Sequence, residues 1–191
     1  MAEPFHVHPA DVYEEIRPRL AVRVHARMRK RIDKRVVLGA LRERIAGSLA
    51  ALTASQNTAQ SGAIHEETRQ EHPKDTRAIE AGYLARGLAE RVETLRDAVV
   101  LIGALKLVDY GPTDPIGICA LVGLEGEVGE EQVYFLAPTG AGERLVIEGT
   151  TIQSLTPGSP LGRALLGRRA GDEVEVALPN GMLRACIAWV R

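Results

Sequence analysis

The spacing of the apolar residues changes near residue 106, and this change constrains the fold more than any other feature of the chain. Apolar residues recur every three or four positions over 36–52, and again over a stretch that runs from Ile79 and Tyr83 to Ile102, as in amphipathic helices. The stretch 61–75 between them loses this period and contains helix-breaking Gly and Pro residues. We therefore predict an antiparallel helical hairpin with its turn at 61–75, projecting about 40 Å.

Beyond Lys106 the chain consists of short apolar or alternating segments separated by Gly, Pro and Asp, a pattern typical of β-strands. The predicted strands are 116–122, 132–137, 144–148, 173–178 and 183–190. Ser159 as N-cap, Pro160 in the first turn and Gly167 as the stop predict one short helix, and 179–181 predicts a tight turn between the last two strands. The predicted class is α+β, a helical hairpin followed by a small antiparallel sheet with one helix.

Charge is distributed unevenly along the chain. Residues 17–35 carry nine Lys or Arg and one acid, whereas 111–191 carry ten acids and six bases. We interpret 1–33 as a basic leader, 34–106 as the hairpin with an acidic tip near 63–80, and 107–191 as the β domain. The leader either neutralises phosphates or an acidic partner surface, or is simply solvated. The candidate contact residues in the basic run 17–35, which extends into the start of the hairpin, are Arg27, Arg29, Lys30, Arg31, Lys34 and Arg35.

Composition excludes several classes of protein. The apolar runs fall short of the about 18 residues that a membrane span needs, and no signal peptide is apparent, so we expect a cytoplasmic protein without membrane contact. The two cysteines, Cys119 and Cys186, lie in apolar segments and are interpreted as reduced core residues. Aromatic residues make up only 4% of the chain, which argues against a protein that stacks single-stranded bases. No nucleophile triad, phosphate loop or dinucleotide fingerprint is present.

The carboxyl-terminal segments resemble the bacterial transcript cleavage factors GreA and GreB. The resemblance is carried, in order and spacing, by Ser159–Gly167, Gly171–Val176, Pro179–Gly181 and the closing strand 183–190. It is specific over 107–191 and looser towards the amino terminus. It implies a coiled-coil hairpin followed by an FKBP-like domain.

The resemblance also implies a function and a partner. The partner would be RNA polymerase core, with the domain on the rim of the secondary channel and the hairpin threaded towards the active site. The chain would be a monomer that binds no cofactor itself, Mg²⁺ being held only within the polymerase, and its contact with nascent RNA or DNA would be indirect. It would not be an enzyme, at most a stimulator of the polymerase's own cleavage. The implied docking residues are Ser159, Pro160, Leu161, Arg163, Leu165 and Leu166.

The tip departs from the family pattern, in which two acids stand three residues apart. Here Ala78 stands three residues after Asp75, and the next acid is Glu80. Other acids, Glu66 and Glu67, lie upstream in the predicted turn. These four carboxylates are candidates to reach the polymerase metal, although Asp75 could instead cap the second helix and the others could be solvated. The pattern favours a regulator that occupies the channel without stimulating cleavage.

Two further functions stay open on the sequence. FKBP-like domains elsewhere are prolyl isomerases, which need an apolar pocket with aromatic walls, and this domain has only Tyr110, Tyr134, Phe135 and Trp189. The second open function is that of a plain coiled-coil adaptor protein, which would need no acidic tip.

Overall fold

The computed structural model describes residues 32–67, 76–126, 129–179 and 181–191 of the chain. Two long helices come first and pack along each other, and six strands with one short helix follow. The helices are α1 (Lys34–Glu67), α2 (Thr76–Ala104) and α3 (Pro160–Leu165). The strands are β1 (Leu121–Gly126), β2 (Glu131–Leu136), β3 (Arg144–Ile147), β4 (Thr150–Leu155), β5 (Glu173–Leu178) and β6 (Gly181–Val190). The predicted α+β class is confirmed.

The first helix is longer than its apolar pattern predicts. α1 continues through Ser61 and Gly62 to Glu67, so the predicted turn at 61–75 is wrong over its first seven positions. One helical Gly costs only about 1 kcal/mol relative to Ala, which a long helix tolerates. The hydroxyl of Ser61 bonds the carbonyl of Asn57 at 2.9 Å, so it does not compete with the helical ladder. Pro73, the other predicted breaker, lies outside the described residues.

The sheet is mixed, with the strand order β3-β4-β2-β1-β6-β5. β2 and β4 run parallel, and the other neighbouring pairs are antiparallel. The prediction of a wholly antiparallel sheet is therefore wrong for one pair. β3 and β4 form a hairpin through Glu148 and Gly149, both with positive φ, at 49° and 80°, as a tight two-residue turn requires. This hairpin inserts β4 between β3 and β2.

The first predicted strand is displaced along the chain. Residues 116–122 were expected to be extended, but β1 begins at Leu121. The amide of Ala120 bonds the carbonyl of Gly117 at 3.1 Å, closing a turn, and Cys119 has a left-handed φ of 70°. The alternation of apolar residues therefore continues through a turn. The other four predicted strands lie within two residues of the observed bounds.

Two apolar layers cover the two faces of the sheet. On one face the base of the hairpin packs on the strands, and on the other α3 does. The first layer includes Val37, Leu41, Ile45, Ile102, Phe135 and Trp189, and the second includes Leu124, Leu136, Leu161, Leu165 and Ile187. The first layer is continuous across residue 106, so the hairpin base and the β domain share one core. Among the described residues, no helix is both long and apolar enough to cross a membrane.

Candidate functional site

The hairpin is fixed at its base and projects away from the sheet. Val37, Leu41 and Ile45, on the first turns of α1, are buried against the β domain. Over 46–58, by contrast, no side chain is fully buried. α1 has 34 residues, and a helix of that length extends about 50 Å. The far end of the hairpin is therefore held well away from the sheet.

Three of the four acids predicted at the tip, Glu66, Glu67 and Glu80, lie towards this far end. Glu66 and Glu67 form the last turn of α1 rather than a loop, which corrects their predicted setting, and their side chains lie outside the described set. Glu80 is exposed near the start of α2. Asp75 lies outside the described residues; it immediately precedes Thr76, where α2 begins. The metal-reaching role of these four carboxylates stays a prediction.

Apolar side chains near the tip are exposed where the spacing predicted a buried stripe. Ile79 is 59% exposed and Tyr83 67%, and Leu84, which is not part of the predicted stripe, is 61% exposed. Near the base each helix faces both its partner and the sheet, whereas farther out no sheet is available to cover it. The guanidinium of Arg86 lies 4.9 Å from the centroid of the Tyr83 ring. The helical period could not distinguish these positions from the buried ones near the base.

The short helix α3 begins as predicted. The hydroxyl of Ser159 accepts a hydrogen bond from the amide of Gly162 at 3.0 Å, which confirms the N-cap. Pro160 occupies the first turn. Beyond the helix, Gly167 has a φ of 78°, the left-handed geometry expected of a helix stop.

The predicted docking residues divide into an inner and an outer set. Leu161 and Leu165 are buried in the apolar layer beneath α3, so they hold the helix on the sheet and cannot meet a partner directly. Pro160, Arg163 and Leu166 are exposed. We call these three exposed residues the α3 surface. Arg163 donates a hydrogen bond to the carbonyl of Gly158, which orients its side chain along this surface.

Most of the predicted basic leader lies outside the described residues, including Arg27, Arg29, Lys30 and Arg31. Two of the candidate basic residues are described: Arg35 is exposed and Lys34 is not.

Lys34 is a buried structural residue, with only 4% of its surface exposed. Its ammonium donates to the carbonyl of Val108 and, at 3.1 Å, to the carbonyl of Arg191. It also lies 5.1 Å from the centroid of the Tyr110 ring. Burial lowers the pKa of Lys34 below its usual value, and the carboxylate of Asp109 partly opposes this. Lys34 was a candidate to contact phosphates or an acidic partner surface, or to be solvated, and its burial excludes all three settings.

A second contact completes this arrangement. The guanidinium of Arg191 donates to the carbonyl of Ile32 at 3.0 Å. We call Ile32, Lys34, Val108 and Arg191 the clasp. It joins the start of α1, the segment after α2 and the end of β6. Sequence reasoning missed it because its members are widely separated in the chain.

Two aromatic residues of the β domain lie in the core rather than around a cavity. Phe135 and Trp189 are fully buried, and Tyr134, which is nearly so, borders an open cavity of about 260 Å³ whose other lining residues are not aromatic. An open cavity of about 510 Å³ lies over β1, β5 and β6, and charged side chains such as Glu125 and Glu173 line it rather than aromatic ones. Within the described part of the chain, no three His, Cys, Asp or Glu residues are grouped to hold a metal ion.

Comparison with known proteins gives one family match. Residues 112–191 match the family described as transcription elongation factor, GreA/GreB, C-term. No curated protein matches the chain significantly.

Several solved structures are similar to the chain. The GreA factor homolog 1 (Gfh1) protein of Thermus thermophilus is 21% identical, covering 80% of this chain and 95% of that one, with a TM-score of 0.34. Gfh1 of Thermus aquaticus is also 21% identical, with the same coverage and a TM-score of 0.35. The elongation factor GreA/GreB from Nitrosomonas europaea is 24% identical, covering 59% of this chain and 91% of that one, with a TM-score of 0.33.

Proposed function

We propose that this chain, whose residues 112–191 match the GreA/GreB family of transcription elongation factors, regulates elongation by binding RNA polymerase core at the rim of its secondary channel. The observation that carries the proposal is the joining of this domain to a long projecting hairpin through one shared core. A domain on the rim would then direct the far end of the hairpin into the channel.

The α3 surface is the proposed docking site on the domain. Pro160 and Leu166 offer apolar contact, and Arg163 offers a charge between them. Arginine is one of the residues enriched at the energetic centre of protein interfaces. Leu161 and Leu165 contribute indirectly, because they hold α3 in place from below.

At the far end, the hairpin carries carboxylates towards the polymerase metal centre. Mg²⁺ there stabilises the attacking and leaving oxygens when the transcript is hydrolysed, and one or two protein carboxylates usually complete its ligand set. Ala78 stands where the family pattern places the second acid. We therefore propose that the chain mainly occupies the channel, excluding other factors, and adds little to cleavage.

The docking step is tested by the affinity of the chain for core polymerase. Replacing Leu166 by Asp and Arg163 by Glu should weaken binding by at least about tenfold, because an apolar contact is lost and a charge reversed. Met182→Asp is the matched control, since Met182 is an exposed apolar residue on β6. Unchanged affinity of the double variant, or an equal loss in the control, would refute docking through the α3 surface.

The role of the tip is tested on backtracked polymerase complexes at fixed Mg²⁺. We expect little cleavage with the chain alone, and reduced cleavage when it competes with an active cleavage factor. Robust cleavage by the chain would refute the occupying role. If that cleavage were lost on Asp75→Asn, or on Glu66→Ala with Glu67→Ala, at unchanged affinity, the chain would be a cleavage stimulator.

A further inference from the structure

We propose that the clasp is a positioning device that sets the angle of the hairpin relative to the α3 surface, with Lys34 as its central residue. The effect of the clasp on transcription rests on the proposed function. That the clasp sets the angle of the hairpin is a statement about the free protein alone.

Lys34 holds three separate parts of the chain at one point. It belongs to the first turn of α1, its ammonium bonds the carbonyl of Val108 after α2, and it bonds the carbonyl of Arg191 after β6. The two helices and the sheet therefore meet at a single cation. Arg191 closes the arrangement from the other side by donating to Ile32.

Burial makes this junction selective for one geometry. A buried ammonium without hydrogen-bonding partners is strongly destabilising, so a position of α1 that separated Lys34 from its two carbonyls would be disfavoured. The apolar contact beside it is not directional. The apolar layer attaches the hairpin to the sheet, and the clasp selects its angle.

The length of the hairpin amplifies any error at its base. The buried part of α1 from Lys34 to Ile45 spans about 16 Å, and the part from Ile45 to Glu67 about 33 Å. With Ile45 as the pivot, a displacement of about 1 Å at Lys34 moves the tip by about 2 Å. If the hairpin enters the channel as proposed, a tip displacement of this size changes which groups of the channel its far end can contact.

The first experiment measures the hairpin angle in the full chain. Spin labels are placed at Ser61 on α1 and Met182 on β6, in a Cys186→Ala background, and their distance distribution is measured by pulsed electron resonance. Lys34→Met should shift or broaden the distribution. Arg35→Met is the matched control, because it removes the same charge from the exposed neighbour. A folded Lys34→Met chain with the distribution of the unsubstituted protein would overturn the proposal.

A second variant covers the case in which Lys34→Met fails to fold. Arg191→Met removes the hydrogen bond to Ile32 from a half-buried position, and it should broaden the same distance distribution. No change with that variant would overturn the proposal equally.

The polymerase experiment separates positioning from docking. Lys34→Met should keep its affinity for core polymerase within about threefold, because the α3 surface is untouched, while the distance distribution between Ser61 and Met182 stays shifted or broadened in the complex. A distribution equal to that of the unsubstituted chain in the complex would overturn the inference. If the unsubstituted chain does not bind polymerase at all, the proposed function fails, and the distance measurement still decides whether the clasp sets the angle.

Discussion

The indole Nε1 of Trp189 donates a hydrogen bond to a carboxylate oxygen of Glu131 across 2.6 Å. The donor is on β6 and the acceptor on β2, and β1 lies between these strands. The indole therefore crosses β1, where it passes over Gly123, the residue paired with Trp189. A Cβ at Gly123 would lie 2.2 Å from Nε1. Only glycine leaves room for the fully buried ring.

Gly123→Ala should therefore destabilise the fold by about 3 kcal/mol, because a buried indole cannot move aside without disturbing its neighbours. The measurement is the free energy of unfolding in denaturant. Gly87→Ala is the control, since nothing lies within 4 Å of its added Cβ and the helical position should gain up to about 1 kcal/mol. Equal stabilities of the two variants would contradict the crossing of the indole over Gly123.

Leu165→Asp should destabilise the chain by several kcal/mol, at least about 3, because the carboxylate would enter the apolar layer under α3. Leu165 is 1% exposed, whereas its neighbour Leu166 is 46% exposed. Leu166→Asp should therefore change stability by less than about 1 kcal/mol. A thermal melt of each variant tests this, and similar melting temperatures would show that α3 is wrongly oriented.

Arg42→Met should lower stability by about 1 kcal/mol. Arg42 on α1 donates from Nε to the carbonyl of Ile102 at 3.1 Å and from Nη2 to the carbonyl of Gly103 at 3.0 Å. Carbonyls in the last turn of a helix lack the usual amide partner four residues further on, so the arginine helps to satisfy their hydrogen-bonding capacity. Hydrogen exchange of the last turn of α2 should accelerate. Arg91→Met, at an exposed position on the same hairpin, is the control, and equal exchange in both variants would count against the contact.

Thiol titration of the native chain should find one slow cysteine and one unreactive cysteine. Burial raises the pKa of both thiols above the usual value of 9.0, and the carboxylates of Glu125 and Glu173 raise that of Cys186 further. Cys119 is fully buried, so only Cys186 should react. Because the thiolate is the reactive form, its rate should continue to increase as the pH rises above about 9.

Glu173→Gln provides the variant for this titration. Removing the carboxylate should lower the pKa of Cys186 and accelerate its reaction at neutral pH, whereas Glu90→Gln on α2 should not. If both variants reacted at the rate of the unsubstituted chain, the carboxylates would have no influence on this thiol.

The parts of the fold that were predicted correctly depend on neighbouring residues. Ser159, Pro160 and Gly167 define α3 within nine positions, and four strands follow from alternation alone. The parts that were predicted wrongly depend on distant partners or on backbone geometry. The carbonyls that bind Lys34 lie 74 and 157 positions away, so charge patterning placed it on the surface. The left-handed φ of Cys119 is equally invisible to apolar alternation.

In the candidate site too, the correct predictions depended on neighbouring residues and the missing information on packing. Local capping signals predicted the helix α3, and the family resemblance implied its docking role, but neither indicated which of its residues face inward. That division follows from the packing of Leu161 and Leu165 on the sheet. At the tip, helical spacing predicted burial for Ile79 and Tyr83 because it does not report how far the sheet extends.

The apolar layer that crosses residue 106 limits how this chain can be recombined with its relatives. A chimaera joined at that residue would pair Leu41 and Ile45 of one parent with Phe135 and Trp189 of another, and their shapes would not be matched. The first turns of α1 would have to come from the same parent as the sheet, whereas the part of the hairpin beyond Ile45 could come from the other parent. The exchangeable module is therefore the projecting part of the hairpin, and its natural junction lies inside the helices.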